Sequence, residues 1–436
     1  MAIENKVTHS RLGRLSLLGK LAGGVIQGAL TEGFNQLASG QKPELKNILL
    51  TPDNARRLSE KLAEMRGAAM KVGQLISMDG GQILPKEFSN MLSSLRQDAN
   101  VMPLGQVAQV MNEALDTGWE EHFEYFNFTP IAAASIGQVH EARLKDGQPV
   151  AIKVQYPNIK NSIDSDVDNV ATLLSIFRIL PQNLNIKSLL EEAKHQLYLE
   201  ADYELEADAL DTFSKFLGTD ERFTIPETIP SLCSDNILTM THIKGHTLEN
   251  CFECSRDERH SIALNILELN LKEVFEWGFV QTDPNFANYR YNFDNRVIGL
   301  LDFGATREYK ADQQMHLKQL LQAAIDGSDD DLSLSAQKVG YLKGDESLSY
   351  EKQMLSLLRM VTEPFMVQSY DYGQSDLARR MNECFIQMRL QNHSGHIPPI
   401  DLMFLHRKLG GLYLLLSQLR SSIAMNEIPI VTKILN

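Results

Sequence analysis

Cysteine is scarce in this chain of 436 residues. Cys233, Cys251, Cys254 and Cys384 are too few for a disulfide framework, and the count fits a reducing compartment. Cys251 and Cys254 form a Cys-x-x-Cys pair, but no second pair and no nearby His-x-x-x-His completes a zinc site, so both read as ordinary thiols. No apolar run is long enough to read as a standard transmembrane helix. Basic residues are also in deficit: 42 Lys plus Arg stand against 56 Asp plus Glu, a net charge of −14, which argues against a general nucleic-acid binder. What remains is ordinary globular composition, 43% hydrophobic and 22% charged, in a chain long enough for two or three domains.

Positions 1–30 run against the acidic balance. Lys6, Arg11, Arg14 and Lys20 face Glu4 alone, giving +3 and leaving −17 for the rest. The segment is apolar between its basic residues and spaces Gly19/Gly23 and Gly24/Gly28 as small-xxx-small pairs. It fits a helix lying on an anionic membrane or packed against another helix; the plainer reading is a glycine-weakened helix on its own protein. Neither a signal peptide nor a mitochondrial leader is evident. The expected location is cytoplasmic, with peripheral contact to the inner membrane through residues 11–30 as the membrane option.

Along the chain, Pro52 opens a helix whose apolar positions Leu58, Leu62, Met65, Ala69, Val72 and Ile76 share one face. Further helices are expected after Pro85 and from Pro103. Residues 136–144 and 149–155 read as strands joined by the turn Lys145-Asp146-Gly147. Helical patterns return at 186–217, short strands at 223–229 and 236–243, a long helix at 256–277, an apolar strand at 297–301, and helices beyond 310. This order predicts an α+β fold of two lobes with helical additions. The boundaries expected are a basic segment 1–45, a helical extension 46–125, a smaller lobe 126–245 with an insertion, and a helical lobe 246–436.

Three segments fit one phosphate-handling site. Val150-Ala151-Ile152-Lys153 ends a strand on a lysine able to place its ammonium on the α and β phosphates of a nucleotide. Just upstream, where a kinase has G-x-G-x-x-G-x-V, the chain reads Ala132, Ala133, Ala134, Ser135, Ile136, Gly137, Gln138, Val139. Alanine restricts the close backbone approach and positive φ that glycine allows, so this loop would hold phosphates differently. Third, Asp283 and Asn288 keep the Asp-x-x-x-x-Asn spacing of a kinase catalytic loop, and Asp302-Phe303-Gly304 follows at a workable distance, ending an apolar strand. In that pattern Asp283 orients the nucleophile while Asn288 and Asp302 hold Mg²⁺, a hard cation content with few protein oxygens.

Two absences narrow the chemistry. Gln281-Thr282 replaces the His-Arg that usually precedes the catalytic aspartate, and no Ala-Pro-Glu follows Gly304. Ordinary protein phosphorylation is therefore not expected.

These residues resemble the UbiB (AarF/ADCK) family of atypical kinase-like proteins over about residues 11 to 425. The marks are Lys71-Val72-Gly73-Gln74, the alanine-rich loop, Glu200-Ala201-Asp202, QTDPNFAN from Gln281, LDFGATREY from Leu301 and FLHRKLGG from Phe404. The last three are similar to the branch that includes the mitochondrial coenzyme Q proteins. The resemblance implies a protein-kinase-like core with an N-terminal helical extension covering the active site. It implies that Lys71 and Gln74 reach into the cleft opposite Glu200 and Asp202, and that Glu206 pairs with Lys153. Glu200 and Glu204 lie within two turns and stay open as alternatives for Lys153. The long interval from Lys153 to Glu206 implies an insertion near 157–190.

The implied function is a Mg²⁺-dependent ATPase or small-molecule kinase that binds ATP or ADP and supports ubiquinone biosynthesis. Its partners would be quinone-precursor lipids and quinone-biosynthesis enzymes. The alternative is a nucleotide-gated pseudokinase scaffold. An antibiotic or sugar phosphotransferase with the same core would leave the Lys-x-Gly-Gln helix unexplained.

Overall fold

A computed structural model describes residues 52–78, 101–177, 186–391 and 398–435. The basic N-terminal segment and the helix expected after Pro85 lie outside the described residues. The described chain forms two compact units, one from residues within 52–77, 101–207 and 227–242, the other from 208–226 and 243–435.

The first unit opens with α1 (Pro52–Glu64) and α2 (Arg66–Met78). Leu58, Leu62, Ala69, Val72 and Ile76 are fully buried, as one apolar helical face requires. Periodicity predicts a single helix here; instead the chain turns at Met65, whose N–H bonds to the Leu62 carbonyl at 3.2 Å. The break precedes Gly67, where a Cβ would stand only 3.1 Å from the Ser135 carbonyl oxygen, so α2 is seated closely on the alanine-rich loop. Pro103 starts α3 (Leu104–Leu115), a position where its missing N–H costs nothing.

The sheet of this unit follows the order β1-β3-β4-β6, with β2 also on β3. These strands are β1 (Phe123–Phe126), β2 (Ala132–Ala133), β3 (Gly137–Leu144), β4 (Pro149–Gln155) and β6 (Ile237–Thr241). The β3–β4 turn takes the left-handed conformation at Gly147, φ +88°. Alternation along β4 buries Val150, Ile152 and Val154 against α3 and the Trp119 cluster, and turns Lys153 to the opposite face. Between β4 and the helix expected to carry the lysine's partner, the chain inserts α4 (Ile159–Ile176) and α5 (Ile186–Glu200), followed by α6 (Tyr203–Leu217).

The strand expected at 223–229 is shorter and divided. β5 (Phe223–Thr224) joins the second unit's sheet, while beyond Pro226 the Ile229 N–H bonds to Thr239 of β6. Proline cannot donate to a ladder, which accounts for the change of partner there.

The second unit holds a sheet ordered β5-β10-β9-β7, with β7 (His246–Thr247), β9 (Tyr289–Asn292) and β10 (Val297–Leu300), and a hairpin of β8 (Phe279–Gln281) with β11 (Thr306–Glu308). The long helix α7 (Arg256–Lys272) ends in a π-helical turn, Glu273–Trp277, closed by Gly278 at φ +62°. Next come α8 (Ala311–Asp326), α9 (Asp329–Val339), α10 (Leu348–Thr362), α11 (Leu377–Gln391), α12 (Ile400–Gln418) and α13 (Pro429–Leu435). The short strands β12 (Tyr370–Asp371) and β13 (Ser422–Ile423) interrupt this helical run. No described helix is long and apolar enough to cross a membrane.

Candidate functional site

In the first unit, Lys153 and Glu206 form a close ion pair, and both are buried, at 6% and 5% exposure. A charge taken out of water needs such a partner, and the pair fixes the lysine's direction. Of the alternatives, Glu204 is exposed and Glu200 is occupied by Lys71 of α2. Glu200 also accepts a hydrogen bond from Ser135 Oγ at 2.8 Å, so one carboxylate joins α2, the end of α5 and the alanine-rich loop. Asp202 is not part of that junction. It lies 3.6 Å from Lys160 Nζ and accepts from the Leu205 N–H at the start of α6. Gln74 sits half-buried, one turn after Lys71.

The alanine-rich loop is a small hairpin, with Ala132 opposite Val139 and Ala133 opposite Gln138. The amides of Ile131 and Ala134 bond to Val139 and Gly137 carbonyls, so they are used within the hairpin. Gly137 is required by packing: a Cβ there would fall 2.3 Å from the Val154 carbonyl oxygen. Behind it, Gln138 accepts from the Met102 N–H at 3.0 Å and contacts His140 Nε2 at 2.8 Å. Burial pushes His140 down, so its ring is neutral; Nδ1–H donates to Asn127 and Nε2 accepts from Gln138.

In the second unit, Asp283 follows β8, and Asn288 ends a 3-10 turn capped by Asn285. Asn288 Nδ2 donates to Asp283 Oδ2 at 3.2 Å. Leu301 N–H bonds to the Asn288 carbonyl at 2.9 Å, tying this turn to the strand end that carries Asp302. Asp302 Oδ1 accepts from the Gly304 N–H at 3.1 Å, and Phe303 packs on Phe213 of α6 with ring centroids 4.5 Å apart. Among the described residues no group of three His, Cys, Asp or Glu forms a metal cage. One carboxylate and one amide oxygen fit Mg²⁺ shared with phosphates and water, and would not hold a transition metal alone.

Sequence reasoning missed the contribution of α12, although its FLHRKLGG segment stood out. Arg407 forms a close ion pair with Asp283 Oδ1. Lys408 Nζ donates at 2.6 Å both to Glu273 and to the Gln281 carbonyl. Burial pushes the Glu273 carboxyl up, against the Lys408 ammonium and the Gln281 N–H, which hold it down. The Cys-x-x-Cys thiols stay protonated, with burial pushing Cys251 up to about 12.

Residues 94–334 match the ABC1 atypical kinase-like domain. The chain belongs to the ABC1 atypical kinase-like family. It is 36% identical to the mitochondrial atypical kinase COQ8 of Saccharomyces cerevisiae over 96% of this chain and 84% of that protein. It is equally similar to the mitochondrial atypical kinase COQ8B of Rattus norvegicus, at 36% over 98% of this chain and 81% of that one. Among solved structures, Rv3197 of Mycobacterium tuberculosis, in complex with erythromycin, is 25% identical with a TM-score of 0.60, covering 86% of this chain and 94% of that one. The ABC1 chain thus has the α+β, protein-kinase-like fold expected from its motifs.

Proposed function

We propose that this chain is a Mg²⁺-dependent ATPase or small-molecule kinase of coenzyme Q biosynthesis. The observation that carries the reading is family membership, supported within each unit by its own groups: in the first, Lys153 is held by Glu206; in the second, Asn288 bonds to Asp283 and its carbonyl is tied to Leu301, the residue before Asp302. Lys153 would bind the α and β phosphates of ATP or ADP, while Asn288 and Asp302 would hold Mg²⁺. The cation, when bound, neutralises charge on the phosphates. Asp283 would orient the attacking water or hydroxyl, with one oxygen steadied by Asn288 and the other by Arg407. The implied acceptors and partners are quinone-precursor lipids and the enzymes that process them, consistent with the COQ8 names of the relatives.

The first test is nucleotide binding. With ATP and Mg²⁺ at about 100 times Kd the unfolding midpoint should rise by the equivalent of about 2.7 kcal/mol. Asp302→Asn should remove the Mg²⁺-dependent part of that rise. Absence of any nucleotide-dependent shift in the wild type rejects the reading. Turnover at saturating ATP, compared with Asp283→Asn, separates an enzyme from a nucleotide-gated scaffold.

A further inference from the structure

The π-helical turn after α7, the strand β8 and helix α12 meet at one buried knot. Glu273 and Lys408 are each 2% exposed. Glu273 Oε2 accepts from the Gln281 N–H at 2.9 Å and from Lys408 Nζ at 2.6 Å, and the same ammonium donates to the Gln281 carbonyl. Both backbone groups of Gln281 are thereby held by side chains, just before Asp283. A π turn shifts the side chains after it around the helix axis, and such turns often occur at functional sites. Next in sequence, Arg407 holds the Asp283 carboxylate. One turn on, Gly411 lies flat on Pro284, where a Cβ would come within 2.1 Å of the proline Cβ. Its neighbour Gly410 has open space around the same position.

We propose that α12 is the brace of the catalytic loop, with Lys408, joined to Glu273, as the positioning residue that fixes Gln281 to Asp283. Here Gln281-Thr282 stands where conventional kinases carry His-Arg, so the constraint comes from a helix far downstream in the chain. The Gly411–Pro284 contact holds the far side of the same loop. The inference rests on Asp283 acting on the nucleophile, as proposed above. A misplacement of about 1 Å costs on the order of 100-fold in rate, so the brace is expected to act on kcat and not on nucleotide affinity.

The test uses the full chain with four variants: Lys408→Met, Gly411→Ala, Gly410→Ala and Asp283→Asn. Lys408→Met and Gly411→Ala should each lower kcat by about 10- to 100-fold with KM for ATP unchanged within about 2-fold. Gly410→Ala should leave both unchanged. In the Asp283→Asn background Lys408→Met should cost no further rate, because a residue acting through Asp283 has nothing left to position. Amide hydrogen exchange of residues 282–288 should rise in both brace variants while α8 and α9 stay protected. Equal rate loss with and without Asp283, or exchange rising evenly through the second unit, would overturn the proposal and leave a structural ion pair. If the wild type shows no turnover, the activity reading fails, and the exchange pattern still decides the brace.

Discussion

His406 shows how one half-buried ring can set an acid limit on the fold. It lies on α12 with Tyr341 stacked over it, centroids 5.3 Å apart, and the tyrosine hydroxyl bonds to Nε2. Burial pushes its titration down to about 4. Unfolded, the same ring takes its proton near pH 6.5. Between those values the unfolded chain binds more protons, so stability falls as pH falls from about 6.5 to about 4. Between pH 7 and pH 5 the loss from this group is about 2 kcal/mol. His406→Gln keeps an acceptor for Tyr341 and removes the titration. Denaturant unfolding at the two pH values should therefore show a pH dependence smaller by that amount in the variant. An undiminished dependence would assign the acid sensitivity to other groups, among them His140, whose ring is also held neutral by burial.

At the scale of elements, the node at Glu200 ties α2 and α5 to the alanine-rich hairpin through Lys71 and Ser135. Removing one member of a buried pair leaves an uncompensated charge, whereas removing both does not. Lys71→Met alone should cost about 3 kcal/mol in unfolding free energy, and much less in a Glu200→Gln background. Additive losses in that cycle would mean the pair is effectively solvated.

The same node marks what the sequence could and could not disclose. Lys153 and the Asp283, Asn288, Asp302 set could be named as candidates because each sits in a short local motif. The buried face of α1 and α2 was readable from spacing alone. The break at Met65 was not, since it answers to the alanine-rich loop, distant in the chain. Glu206 was assigned to Lys153 through the family resemblance alone; what set aside Glu200 and Glu204 is how α5 and α6 divide at Ala201-Asp202. Arg407 and Lys408 stood in a noticed segment, yet nothing local joins them to a strand so much earlier in the sequence.

For the whole molecule the charge is the feature with consequences for partners. The body from Thr31 onward carries −17 and should be repelled by an anionic surface, while positions 1–30 carry +3. Each Lys or Arg near such a surface contributes about 1 kcal/mol, and the effect decays within a Debye length of about 8 Å at physiological salt. On these magnitudes, four basic residues with interleaved leucines would give weak, reversible attachment, which is the prediction to test. Full-length protein should cosediment with vesicles containing about 30% phosphatidylserine at about 0.1 M salt, and should be released as screening rises at about 0.5 M. Lys6, Arg11, Arg14 and Lys20 changed together to glutamine should abolish the binding while leaving the nucleotide-dependent thermal shift intact. If the quadruple variant still binds, the contact belongs to the acidic body and the segment has another use. A lipid-biosynthetic role needs some route to its acceptors, and the charge of this segment favours one.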